Sequence, residues 1–278
     1  MEWWQALVLG IVQGLTEFFP VSSSGHLELV PWLFGWEDFA SESVGTAFDA
    51  ALHLGTLFAV VVAVRAELTA LVKAGVRHPF ASAEQRAASP TGRLAWLVVV
   101  TALPAAVVGA VFDDVVADAL GDPVAVAASL IVFGAVLWWA DRRVGARAMH
   151  DLTARDAWLI GMAQVLALNP GTSRSGITIS ALRLLGYGRA AAVRMSFVVG
   201  VPIIAGAGFF EVGSLIAEGI PDGLGQAMLI GVVAAAVTGW LAINALQRLA
   251  ARSNFNVFVV YRIVLALVVL NLAATGLR

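Results

Sequence analysis

The chain has 278 residues, of which 60% are hydrophobic and 13% charged. Soluble domains are about 45–50% apolar and about 25% charged, so this composition excludes a soluble globular domain and indicates an integral membrane protein. With 17 Lys and Arg against 19 Asp and Glu, the net charge is −2 and there is no cysteine; a disulfide framework and a thiol nucleophile are excluded, and no nucleic-acid partner is expected.

A spanning helix needs about 20 mostly apolar residues. Residues 3–15 are apolar but too short to cross. They lack the basic n-region and cleavage site of a signal peptide, so they are expected to stay on the mature protein. They run into Pro20-Val21-Ser22-Ser23-Ser24-Gly25-His26, and a second short apolar piece follows at 27–34. Residues 44–64, 94–112 and 124–140 are each long enough to span. The order then recurs. A short piece at 158–168 meets Pro170-Gly171-Thr172-Ser173-Arg174-Ser175-Gly176 and a second short piece at 177–185. Spans follow at 195–215, 224–246 and 257–277.

The two polar stretches align without a gap. Gly10 falls on Gly161, Gln13 on Gln164, Ser22 on Ser173, Ser24 on Ser175 and Gly25 on Gly176. They differ where charge matters: Glu17 faces Leu168, Ser23 faces Arg174 and His26 faces Ile177. The spacing predicts one all-α membrane domain of six spanning helices plus two re-entrant helical hairpins, at 3–34 and 158–185. Repeat one covers 1–140 and repeat two 157–278. Irregular backbone at membrane depth is tolerated only where protein or a water-filled cavity surrounds it.

Charge orders the loops. Arg65, Lys73, Arg77, Arg86 and Arg93 lie between spans one and two. Arg142, Arg143, Arg147 and Arg155 follow span three, Arg183, Arg189 and Arg194 precede span four, and Arg248 and Arg252 follow span five. The other connections carry Glu37, Asp38 and Glu42, then Asp113, Asp114, Asp118 and Asp122, then Glu218 and Asp222. The positive-inside rule puts the basic loops in the cytoplasm and both termini outside the cell membrane. Three spans per copy then invert the second repeat, the arrangement of folds whose broken helices meet at a midplane site. Arg174, Arg262 and Arg278 stand outside this pattern, and Arg262 is expected to snorkel toward the cytoplasmic interface.

Gln13 and Glu17, four apart, share a helix face. A carboxylate at membrane depth costs at least about 2.5–3.5 kcal/mol, so Glu17 requires a partner: a bound divalent cation or Arg174. Ser22, Ser23, Ser24 and Gly25 stand at one helix start, and Thr172, Ser173, Ser175 and Gly176 at the other. Serines there can cap, and the same free N–H groups suit an anion. Arg174 adds a planar fork matched to phosphate oxygens. His26, three residues after Ser23, is placed to be its base, a nucleophile itself, or an acid for the leaving group. His53 and Asp49, four apart, are either structural or support the site; His78 and His150 fall in basic loops.

These residues resemble the undecaprenyl-diphosphate phosphatase family, of the type linked to bacitracin resistance. Its [E/Q]-x-x-x-E and F-x-P-V-S-S-[ST]-G-H signature is matched from Gln13 to His26, and its P-G-x-S-R-S-G signature from Pro170 to Gly176. The resemblance extends over the whole chain, including Phe48-Asp49 to Gly55. It implies hydrolysis of a polyprenyl diphosphate lipid to the monophosphate that carries cell-wall glycan precursors. It also implies a divalent cation, Mg2+ or Ca2+, and a site open to the extracytoplasmic side. Carried over by position, Glu17, Ser23, His26 and Arg174 are the catalytic candidates, with Gln13 and Glu17 toward the cation. Where many members have Glu, this chain has Gln13, one negative charge fewer for the metal. A transporter or flippase of a phosphorylated lipid is the alternative, since inverted repeats serve alternating access. Homo-oligomerisation is left open by the sequence.

Overall fold

The computed structural model describes residues 1–36, 42–218 and 224–277. Glu37, Asp38, Asp222 and Arg278 lie outside the described residues, as do the side chains of Glu42, Asp113, Asp114, Asp118 and Glu218. Helix α1 (Trp3–Phe18) breaks at Phe19 and α2 (Ser23–Phe34) follows; α3 (Glu42–Ala63) turns sharply into α4 (Arg65–Arg77). A short α5 (Ala83–Ala87) leads to α6 (Pro90–Leu120) and α7 (Pro123–Asp141). The order repeats as α8 (Ala154–Val165), α9 (Arg174–Leu184), α10 (Arg189–Glu218), α11 (Leu224–Arg252) and α12 (Asn256–Thr275).

Local chemistry explains the boundaries. Asp122 caps α7 by accepting from the amides of Val124 at 2.8 Å and Ala125 at 3.3 Å, with Pro123 at the first helical position. Thr153 and Asp156 form a reciprocal capping box at α8. Gly35 ends α2 and Gly276 ends α12, both left-handed (φ 62° and 66°).

Five helical stretches among the described residues are long and apolar enough to cross a membrane: 90–111, 123–141, 189–206, 224–252 and 256–275. The bent pair 48–63 and 65–80 makes a sixth if counted as one span. The chain is an all-α, multi-pass membrane protein. The basic stretch after span one is not a plain loop. The chain bends by 83° at Val64, and α4 then packs along α6. Leu71 and Gly75 are buried, and the indole of Trp96 donates to the Gly75 carbonyl at 3.1 Å. Alternating apolar and basic residues hide there one amphipathic helix, with Glu67 paired to Arg194 of α10.

Packing joins the two halves of the chain. Helix α1 lies on α11, α8 on α6, α3 on α10 and α7 on α12. Small residues set the close approaches, as expected where lipid supplies no hydrophobic drive between helices. A Cβ on Gly10 would lie 2.9 Å from the Cα of Gly231, so α1 and α11 touch almost backbone to backbone. The main core cluster draws Phe18, Ile160, Leu182, Phe197, Ile243 and Phe255 from five of these helices and the start of α12; Phe18 and Phe197 meet edge to face.

At one end of the bundle a charged lock closes the core. Asp141 is buried and accepts from Arg189 at 2.5 Å and from the Phe255 amide at 3.1 Å. Arg183 lies 3.6 Å from the same carboxylate and donates to the carbonyls of Tyr187 and Arg143. The basic residues read as loop charge thus include one, Arg183, that is buried within α9. Removing one partner of a buried pair costs about 3–5 kcal/mol. Asp141→Ala should lower the unfolding temperature in detergent well beyond Asp141→Asn, which keeps an acceptor for the Phe255 amide; equal melting of both variants and wild type would refute the lock.

Candidate active site

Both polar stretches form the same local structure. Each interrupts a helix, and the next helix starts on a serine in an unusual backbone state: Ser22 at φ 77° and ψ 102°, Ser173 at φ 73° and ψ 111°. Side chains other than Gly rarely hold positive φ, at a cost of order 1–3 kcal/mol. The matched hydrogen bonds hold them there. The Ser22 hydroxyl accepts from the Gly25 amide at 3.3 Å and the Ser173 hydroxyl from the Gly176 amide at 3.1 Å.

The two turns interlock. The Gly171 amide donates to the Ser22 hydroxyl at 3.0 Å, and Ser175 donates to the Phe19 carbonyl at 3.1 Å. Gly171 adopts φ 90°, and a Cβ there would lie 2.8 Å from that of Ser129. Asn169 donates to Ser129 and Thr172, tying the second turn to α7.

Arg262 is the third member, and its place corrects the snorkelling expectation. Its side chain is 0% exposed. It donates to the carbonyls of Pro20 (3.1 Å), Gly171 (2.7 Å), Thr172 (3.2 Å) and Leu130 (3.0 Å). The buried, freed carbonyls of both turns need donors, and one planar guanidinium reaches both. Its signal in the sequence was an arginine inside a very apolar span, which reads by default as buried and functional.

Glu17 is where the two halves meet. It is 5% exposed, and its Oε1 accepts from Arg174 at 2.7 Å. Its Oε2 accepts from the Ser23 hydroxyl at 2.6 Å and from Gln13 at 3.3 Å. His53 stands 3.8 Å from Oε2, its other nitrogen on the Asp49 carbonyl at 2.8 Å. The Oε1 of Gln13 is buried without a hydrogen-bond partner. Gln164, at the matching position of the second stretch, has both ends engaged, by the Thr101 carbonyl and by Thr178. Among the described residues no group of three His, Asp or Glu could hold a metal ion alone.

The candidates thus fall into two sets. Glu17, Ser23, Arg174 and Gln13 come together, with His53 at their edge. Ser22, Thr172, Ser173 and Ser175 are buried, and their hydroxyls are engaged within the turns. Ser24 is exposed and Ser23 half-buried. His26 points elsewhere. Its Nδ1 donates to the Ser22 carbonyl at 2.6 Å, and its Nε2 meets the hydroxyl of Tyr261 at 2.7 Å. Ser23 is therefore hydrogen-bonded to Glu17, and the imidazole is turned to α12. Tyr261 had no motif to announce it.

The sequence model of the family described as "Bacitracin resistance protein BacA" matches residues 6–268. The chain is 44% identical over 274 residues to the undecaprenyl-diphosphatase of Desulforudis audaxviator, covering 98% of each. It is 44% identical to the undecaprenyl-diphosphatase of Thermomicrobium roseum, covering 97% of this chain and 98% of that one. To undecaprenyl-diphosphatase 2 of Stutzerimonas stutzeri it is 43% identical, with 98% of each covered. Two interlocked Ser-capped turns, a shared Glu17–Arg174 pair and a match over nearly the full length place this chain in the BacA bacitracin resistance family.

Proposed function

We propose that this membrane protein hydrolyses undecaprenyl diphosphate to the monophosphate and inorganic phosphate, returning the lipid carrier to cell-wall glycan synthesis. The observation that carries it is Glu17 held between Arg174 and Ser23, where two helix starts converge. Arg174 and the first-turn amides of Ser23, Ser24, Arg174 and Ser175, which have no partner further back in their helices, bind the terminal phosphate. The amides of Gly25 and Gly176 already serve the caps, so these glycines and Ser22, Thr172, Ser173 and Ser175 shape the cradle.

Ser23 is the nucleophile. Its proton passes to Glu17 as Oγ attacks the terminal phosphorus, and the lipid monophosphate leaves. Water then releases phosphate from the serine. Charge develops on the transferred phosphoryl oxygens, and Arg174 neutralises it; such preorganised stabilisation is commonly the largest catalytic contribution. His26, engaged by the Ser22 carbonyl and by Tyr261, holds the first turn in place, and Glu17 takes the Ser23 proton.

A divalent cation fits these residues. Mg2+ is commonly held by one or two carboxylates plus substrate phosphates. Glu17 has lone pairs to spare, and the unpartnered Gln13 Oε1 is a ready second ligand. Bound there, Mg2+ or Ca2+ would neutralise diphosphate charge.

The architecture proposed for this site is an inverted repeat of two re-entrant hairpins and six spans. Its support is the exchange of partners between halves, with α1 on α11 and α8 on α6, and the matched backbone of Ser22 and Ser173. Both termini and the mouth of the site face outside the cell, with the isoprenoid tail in lipid.

Phosphate release from a C55 or shorter diphosphate by purified protein in detergent should require a divalent cation. Glu17→Ala, Ser23→Ala and Arg174→Ala should each lower kcat by about 10²–10⁴-fold; cation-independent release, or full turnover in these variants, would sink the assignment. Gly200 leaves room for Arg174: a Cβ there would lie 2.8 Å from the guanidinium carbon. Gly200→Ala should therefore cut turnover about tenfold or more while melting stays near wild type, and unchanged turnover would show that Arg174 has slack. Cysteines replacing Glu37 and Arg86 should react with impermeant reagents from opposite sides; labelling from one side would refute the orientation.

A further inference from the structure

We infer that His53 is a third ligand of the proposed cation site, and that its nitrogen makes the site hold a first-row transition-metal ion such as Mn2+ or Co2+ more tightly than Mg2+ or Ca2+. The inference rests on the reading of Gln13 and Glu17 as cation ligands and adds the residue that sets which cation they take. The His53 Nδ1 lies 2.8 Å from the Asp49 carbonyl, which can only accept, so the ring proton sits there and the Nε2 lone pair is free. Metal-bound histidines are almost always anchored through their other nitrogen in this way. Among the described residues Nε2 makes no hydrogen bond, and it faces Glu17 Oε2 at 3.8 Å. That gap is too long for a hydrogen bond. It falls within the roughly 4.2 Å that two ligands, each about 2.1 Å from one ion, can span.

Gln13 supplies the second, independent observation. Its side chain is 0% exposed, and Oε1 has no partner although Nε2 of the same amide reaches Glu17 Oε2 at 3.3 Å. A buried carbonyl oxygen is ordinarily paired, and a cation beside Glu17 would pair it. The donor set is then a carboxylate oxygen, an amide oxygen and an imidazole nitrogen. Packing fixes the two helices that carry it. A Cβ on Gly14 of α1 would lie 2.5 Å from the Ala235 carbonyl oxygen, and one on Gly55 of α3 would lie 3.1 Å from the Ala235 Cβ. One residue of α11 therefore seats both the helix of Gln13 and Glu17 and the helix of His53. The His53 side chain is 28% exposed, so the site is open on that side. Mg2+ and Ca2+ take oxygen ligands, whereas an imidazole nitrogen favours transition metals, with affinity rising from Mn2+ to Co2+.

Metal binding to the full-length protein in detergent, without substrate, tests this. Mn2+ titration read by EPR should show one ion per chain. Pulsed EPR should show a nitrogen coupling to that ion which changes when histidine carries heavy nitrogen. His53→Gln should remove the coupling and weaken Mn2+ and Co2+ binding about tenfold or more. Mg2+ affinity, read by competition against Mn2+, should stay near wild type, because glutamine offers an oxygen in place of the nitrogen. A merely structural histidine would weaken all three ions alike. His26→Gln should keep the coupling, since that ring is held by Ser22 and Tyr261. Bound Mn2+ without a histidine coupling in the wild type, a coupling that persists in His53→Gln, or parallel losses for Mn2+ and Mg2+ would each overturn the assignment. The labelled wild-type protein gives its answer whether or not the variant folds. Cation-independent phosphate release, by contrast, would remove the catalytic use of the cation and leave the ligand to the EPR result.

Discussion

Buried backbone that leaves a helix must find its hydrogen bonds inside the protein. In this chain the turns at Phe19–Ser22 and Asn169–Ser173 are largely buried in the bundle, and the chemistry of the site depends on how they are satisfied. They satisfy each other. Ser22 takes the Gly171 amide, Ser175 feeds the Phe19 carbonyl, and Arg262 covers the carbonyls of Pro20, Gly171 and Thr172. Neither turn is complete alone, which ties the formation of the site to the docking of the two halves.

That docking also solves an electrostatic problem. Glu17 and Arg174 are each costly in an apolar interior, and they lie 157 positions apart in the chain. Pairing them relieves both, and it places a carboxylate, a guanidinium and the Ser23 hydroxyl around one point. A pair built only for stability would be a weak choice, since apolar residues of similar volume often do as well or better. Here the pair is surrounded by reactive and unpartnered groups, the hydroxyl of Ser23 and the Oε1 of Gln13. The Asp141–Arg183–Arg189 lock is the contrast. Its groups are engaged with backbone and with one another, apart from Arg183 Nε, which lies 3.6 Å from Asp141 without a hydrogen bond, and no reactive hydroxyl stands among them.

The helices that carry no motif matter as positioning elements. α12 contributes Tyr261 and Arg262, two adjacent residues that reach His26 and both turns. α7 contributes the Ser129 hydroxyl and the Leu130 carbonyl at the same junction. α10 contributes Gly200, whose missing side chain lets Arg174 lie against it. Small residues serve similarly at Gly10 and Gly231, where α1 and α11 come close enough to hold the first hairpin to the second half.

Much was legible without coordinates. Hydropathy alone located the apolar stretches, because a helix in lipid needs a long apolar run and loops do not. The gapless match of Gly10–Gly25 to Gly161–Gly176 showed that two polar turns belong together, and Glu17 facing Leu168 showed that they are not redundant. The 83° bend at Val64 and helix α4 were not legible, since a half-polar amphipathic helix resembles a basic loop to a hydropathy scale. Which groups touch was decided only by tertiary structure. Ser23 and His26, three residues apart, looked like a pair, yet local geometry ties His26 to the Ser22 carbonyl one turn back and α12 takes its other nitrogen. Ser23 turns instead to Glu17, six residues before it, across a bend that no helical periodicity describes. Sequence determined which chemistry is present, because residue identity and short spacing carry that information. Structure decided the partners, because they come from helices far apart in the chain that meet only when the two halves pack.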